Sequence, residues 1–192
     1  MIGPQNHQVI HEGNLNVNNY QAANFELKME GNVSFKKITV GENIKFTIDL
    51  GDIDRSIVAD SISVGGEIRL KGKGKLTLYV KDNITVSYGG INPNGKNNLF
   101  IYLGPSENSN NPKVFKNASN SSISAALYAA DANIELSGGN SITGHIITGG
   151  KKVKIDGGSN AAVTTNGALI YAPNANVELT GGGNLTGSII SN

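Results

Sequence analysis

Four tyrosines, two glutamates and three aspartates are the residues of this chain whose types and spacing could do chemistry. Tyr79, Tyr102, Tyr128 and Tyr171 each sit between apolar neighbours in an alternating segment. If those neighbours point inward, the rings share the outward parity. Outward tyrosines in one register form either a packed aromatic ladder, the simpler reading, or a strip that binds a glycan or a protein. Glu135 and Glu178 hold equivalent places in two similar segments. Paired carboxylates on one face are the equipment of enzymes that cleave polysaccharides. Lys154 holds the same place in a segment between them, and the sequence offers no clustered basic residue or further aspartates beside them. A charge-neutralising ladder is therefore the simpler reading of that column.

Asp49, Asp52 and Asp54 surround Gly51, and carboxylates around a glycine turn can ligate Ca²⁺. Their spacing fits neither an EF-hand loop nor the nonapeptide repeat of calcium-binding solenoids. His7 and His11 have no third ligand in view, and His145 falls on an outward position without a nucleophile beside it. The chain contains no cysteine and no G-x-S-x-G, H-E-x-x-H or Walker-type glycine loop. The expectation is a non-enzymatic protein without a cofactor. A carbohydrate-active or polysaccharide-binding protein is the alternative, resting on Glu135, Glu178 and the tyrosines.

The elements that position these residues are visible as repeats. Leu127–Gly139 returns as Ile170–Gly182, and the match runs on without a gap to Ile147 and Ile190, always 43 residues apart. A shorter period lies inside it. Ile134-Glu135-Leu136-Ser137-Gly138-Gly139 is echoed 19 residues later by Val153-Lys154-Ile155-Asp156-Gly157-Gly158, and 24 residues after that by Val177-Glu178-Leu179-Thr180-Gly181-Gly182. Each echo alternates apolar and polar residues and ends in a Gly-Gly pair suited to a sharp turn. Spacings near twenty residues are too short for a βαβ crossover and suit one coil of a β-solenoid.

These periods predict an all-β chain folded as a right-handed, single-stranded parallel β-helix with an N-terminal β-rich cap. Residues 1–60 read as an irregular leader followed by that cap, with Phe25, Phe35 and Phe46 among its strands. Residues 61–192 read as the β-helix, interrupted by a polar surface excursion at 105–124. The inward set in the repeats is Leu127, Ala129, Ile134, Leu136, Ile142, Ile146, Val153, Ile155, Ile170, Ala172, Val177, Leu179, Leu185 and Ile189. The last coil is expected to leave Leu185 and Ile189 uncovered, an edge that favours self-association through the C-terminal coil.

Charged residues make up 16% of the chain and the net charge is +1, so no global field steers it to nucleic acid. Lys71, Lys73 and Lys75 read as a solvated edge that discourages strand pairing. No membrane segment and no export signal are apparent, so the chain is expected to be soluble, either cytoplasmic or cut from a longer precursor.

The segment Tyr171-Ala172-Pro173-Asn174-Ala175-Asn176-Val177-Glu178-Leu179-Thr180-Gly181-Gly182-Gly183-Asn184-Leu185-Thr186-Gly187-Ser188-Ile189-Ile190 resembles the C-terminal β-helical domain of bacterial PilX-like pilus-assembly and related cell-surface proteins. Gly72–Val80 and the Gly90-Ile91-Asn92-Pro93 turn are similar to the same family, so the resemblance extends over roughly residues 60–192. It implies a bacterial, surface-associated structural or adhesive module with a protein or glycan as its ligand. It supplies no catalytic residues. Members of that family usually carry an N-terminal pilin-like membrane helix, which has no counterpart here.

Overall fold

The computed structural model describes residues 13–18, 24–93, 95, 98–108, 110–118, 120–139, 141–156, 160–161, 169–181 and 184–191. Among them are 21 β-strands and no helix. The strands pair in parallel and stack as a β-solenoid of about seven turns. Each coil lays strands on three faces.

The first face carries Leu99–Leu103, Ala126–Ala129, Ile146–Thr148, Leu169–Ala172 and Ser188–Ser191. The second carries Val114–Ala118, Asn133–Ser137, Lys152–Asp156 and Asn176–Leu179. The third carries Asn24–Lys28, Lys45–Asp49, Glu67–Lys71, Gly89–Ile91, Ser121–Ser124 and Ser141–Thr143. In the earlier coils Val33–Val40, Arg55–Val64 and Leu76–Val86 run through the first and second faces as single strands. Leu76–Val86 then forks: Leu76–Val80 pairs with Leu99–Leu103, while Ile84–Val86 pairs with Phe115–Asn117.

Alternation in the sequence becomes vertical columns in the core. On the first face Val33, Ile57, Leu78, Ile101, Leu127, Ile146, Ile170 and Ile189 are partners in successive coils. On the second, Ile38, Ile62, Ile84, Phe115, Ile134, Val153 and Val177 do the same. From Ile57 to Ile170 the first column is no more than 2% exposed. Burying each such side chain contributes about 1.5–3 kcal/mol, which opposes the ordering of many turns. Leu127, Ala129, Ile134, Leu136, Ile142, Ile146, Val153, Ile155, Ile170 and Ala172 are all buried as the alternation requires. Val177 packs against the core from a half-buried position, whereas Leu179 and Ile189 are 49% and 38% exposed at the uncovered ends of their columns. The Leu185 side chain lies outside the described residues.

The stack starts earlier than the sequence division at residue 61. Strands from Asn24 onward pair in the same sheets as the later ones, and Leu15–Val17 pairs with Ile38–Val40. Among the described residues no break in pairing marks the assigned cap. The excursion is also shorter than 105–124, because Val114–Ala118 and Ser121–Ser124 are strands of a coil. Its inward side includes fully buried Asn117 and Ser121 rather than aliphatic residues alone. The Ser121 hydroxyl donates to Asn117 Oδ1 and to the Ala118 carbonyl. Internal hydrogen bonding lets a polar sequence occupy a core position, and it also hides the coil from a hydrophobic pattern.

On the third face, chain passes directly over chain at Gly90. Gly90 has φ +147°, and a Cβ there would lie 1.9 Å from the Ser122 carbonyl oxygen in the next coil. Only glycine meets both conditions.

Candidate functional site

The outward column of the first face is apolar over most of its length. Its members in successive coils are Val58, Tyr79, Tyr102, Tyr128, Ile147, Tyr171 and Ile190. Tyr79 and Tyr102 stack with centroids 5.3 Å apart and planes 20° apart, and Tyr102 and Tyr128 at 4.9 Å and 10°. These separations follow the spacing of paired strands, about 4.8 Å, so register itself brings the rings face to face. Burial, and then the neighbouring phenols of Tyr128 and Tyr79, raise the Tyr102 hydroxyl above the ordinary tyrosine pKa. Tyr171 does not join this stack, because Ile147 occupies the rung between it and Tyr128. The 43-residue period spans two coils rather than one. Tyr171 and Ile190 are 40% and 51% exposed and make the open end of the strip.

Stacking decides what the ladder can bind. Within the trio, ring faces are turned to one another, leaving edges and hydroxyls for solvent. A ligand that needs a free ring face finds one only where the stack ends.

One end lies at a distinctive corner. Between the first and second faces, Lys81 and Asp82 stand against the single residue Asp60, and the pairing register shifts. In the next coil the same corner opens into the segment between Gly104 and Lys113, whose described residues fold back over the outer surface. The Ser106 backbone N–H donates to both oxygens of Asp131, at 2.8 and 3.1 Å, and its hydroxyl donates to Oδ1 at 2.9 Å. The Lys113 ammonium donates to the carbonyls of Lys81, Gly104 and Pro105. Lys81 also approaches Glu107 at 3.7 Å. The folded-back segment and the first face enclose a cleft of about 520 Å³. Val58, Tyr79 and Pro105 give it carbon walls, and Asp60, Lys81, Glu107 and Lys113 carry its charges. Single-sequence reading missed this cleft because its walls come from three coils. Only the bulge and the two prolines near residue 105 mark the corner.

The carboxylates stand in a column with lysines. Lys116, Glu135, Lys154 and Glu178 are successive partners on the outer side of the second face. Lys152 pairs with Glu178 at 3.1 Å and Lys154 with Asp156 at 2.7 Å. The Asp156 hydrogen bond, followed by the fields of Glu178 and Glu135, raises the Lys154 pKa. Glu135 and Glu178 stand two rungs apart, about 10 Å by strand spacing, with a cation between them.

The acidic run does not converge. Asp49 accepts a 2.9 Å hydrogen bond from the Gly51 N–H and pairs with Lys71 at 3.1 Å, and both interactions lower its pKa. Lys71 reaches Glu26 as well, at 2.9 Å, and its pKa is raised by Glu26 and then Asp49. Asp54 accepts from the Lys75 N–H at 2.8 Å, and Asp52 is exposed. Among the described residues no group of three or more His, Cys, Asp or Glu is placed to hold a metal ion, Asp49, Asp52 and Asp54 included. His145 Nδ1 accepts from the Leu169 N–H at 3.2 Å, a link between coils. His7 and His11 lie outside the described residues. No helix among the described residues is long and apolar enough to cross a membrane.

The family model of a domain of unknown function, DUF7305, matches residues 12–163, and the chain belongs to that family. No curated protein and no solved structure matches the chain.

Proposed function

We propose that this DUF7305 member is a non-enzymatic structural or adhesive β-helix module of a bacterial cell surface, related in role to pilus-assembly proteins. The observation that carries the reading is the outward strip from Val58 to Ile190. It places large apolar side chains on solvent-facing positions through successive coils, beyond what the packed interior needs. Continuous apolar surface of this kind marks interaction sites. The resemblance of residues 60–192 to PilX-like domains adds the surface and pilus setting. The alternating Lys and Glu column supports a non-enzymatic role, since each carboxylate there has a cation on a neighbouring rung. Expression in a bacterium with the native flanking gene sequence, followed by protease treatment of intact cells, tests this. Cleavage at the cell surface is expected, and a product confined to the cytosol overturns it.

Polysaccharide binding is a second reading, favoured by the cleft beside Tyr79. Self-association through the last described coil belongs with the scaffold reading, because Leu179 and Ile189 expose the ends of two core columns. Light scattering over a concentration series should then show growing mass, and Leu179→Lys should suppress it. A constant monomer mass overturns that part.

A further inference from the structure

The tyrosine stack stops where the cleft begins. Tyr102 covers one side of the Tyr79 ring, and Tyr79 lines the cleft whereas Tyr102 does not. On the other side of Tyr79 the next rung is Val58, a much smaller side chain. The step from tyrosine to valine shortens the side chain on that rung, beside a cleft that Val58, Tyr79 and Pro105 all line. We propose that this cleft binds a neutral hexose ring of a polysaccharide, with Tyr79 as its platform. The inference deepens the binding-module reading and rests on it.

The chemistry of the walls selects this occupant. A hexose chair has a face of axial C–H groups that packs on an aromatic ring, while its hydroxyls project from the edge. Asp60 and Glu107 bring acceptors for hydroxyls to the lining of the cleft, and Lys81 adds a donor. A phenylalanine side chain would satisfy the floor but offer nothing to the carboxylates. Two acids and two lysines balance, so the site complements a neutral sugar better than an anionic one. At about 520 Å³ the cleft lies within the range of small-ligand sites, roughly 300–1,000 Å³. Its backing is strand rather than mobile chain, and its outer wall is fastened by Ser106–Asp131 and Lys113, so little ordering is required on binding.

Saturation-transfer NMR on the purified chain with mannotriose, cellotriose and maltotriose provides the test. At least one trisaccharide should receive saturation at the ring protons of one residue. Tyr79→Ala removes the platform and Val58→Trp fills the space, and each should weaken binding at least tenfold. Lys45→Ala, exposed on the third face and away from the cleft, should leave it unchanged. Val58 and Tyr79 point outward, and a thermal midpoint in Val58→Trp no lower than the parent's separates filling of the cleft from unfolding. The proposal is overturned if none of the trisaccharides binds, if Val58→Trp binds as well as the parent, or if only a tyrosine-containing peptide competes for the cleft. A chain exposed on cells that binds no sugar would defeat this inference and the polysaccharide reading under it, and leave the scaffold reading standing. A cytosolic chain would defeat the surface reading instead.

Discussion

Asp131 accepts every polar hydrogen that Ser106 can offer it: the backbone N–H to both carboxylate oxygens, and the hydroxyl to Oδ1. The two residues belong to neighbouring coils, so this contact fixes the folded-back segment to the stack. Asp131→Ala should cost about 1–3 kcal/mol in urea-unfolding stability, because it leaves the half-buried Ser106 donors without their acceptor. It should also speed cleavage after Glu107, whose side chain is 81% exposed, by a glutamate-specific protease. Asp131→Asn, keeping one acceptor oxygen, should fall between. Parent-like proteolysis of Asp131→Ala would show that Lys113 alone holds the segment.

The rung below Tyr79 offers a second experiment. Val58→Tyr should extend the stack by a ring without entering the core. Aromatic pairs contribute about 0.5–1.5 kcal/mol beyond area burial, and a gain of that order is expected in the unfolding free energy. Near-UV circular dichroism should strengthen in parallel. Leu78→Ala, one residue from the ladder but pointing inward, should cost about 2–5 kcal/mol. If Val58→Tyr destabilises the protein as Leu78→Ala does, the outward assignment of this column is wrong.

Sequence revealed the fold where each coil used the same solution. Ile134, Val153 and Val177 share a place in the echoed hexapeptide, and they are partners in the sheet with no slip. Parity was equally legible for Tyr79, Tyr102 and Tyr128, whose stacking needs only common register. Adjacency was not. Spacings of 19 and 24 residues add up to the longer period, so Tyr171 answers Tyr128 two coils away and Ile147 comes between them. The coil at Val114–Ser124 was obscured for a different reason. A core position filled by hydrogen-bonded Asn117 carries no apolar signal, and the same composition describes an exposed loop. The cleft was least legible, since Val58, Tyr79 and Glu107 become neighbours only through stacking.

That polar core position leads to a third expectation. Asn117 stands in a column between Val86 and Leu136, fully buried, and accepts from the Ser121 hydroxyl. Asn117→Ala and Ser121→Ala should each cost about 1–3 kcal/mol, since each removes a hydrogen bond within the buried interior. The double substitution should cost less than the sum, by roughly 0.5–3 kcal/mol, as expected for groups that share one interaction. A double-mutant cycle in urea measures this directly. Strict additivity would mean that the Asn117–Ser121 contact does not hold this coil in the stack.

The middle ring of the ladder provides a pH-dependent signal. Burial and the flanking phenols of Tyr128 and Tyr79 hold the Tyr102 pKa above the ordinary value of 10.0. In the window just above that value the unfolded chain releases this proton while the folded chain retains it. The folded state then binds more protons, so stability must fall as pH rises. The contribution of Tyr102 is intact below the unfolded pKa and is lost as pH climbs through the folded one. Unfolding midpoints should therefore decline above about pH 10, and the decline should be shallower in Tyr102→Phe, which keeps the stack but has no proton to lose. Phenolate absorbance of the folded protein should show a phase displaced to high pH, and the same substitution should remove it. If Tyr102→Phe leaves both the titration and the alkaline decline unchanged, the rings do not stack in solution as they do here.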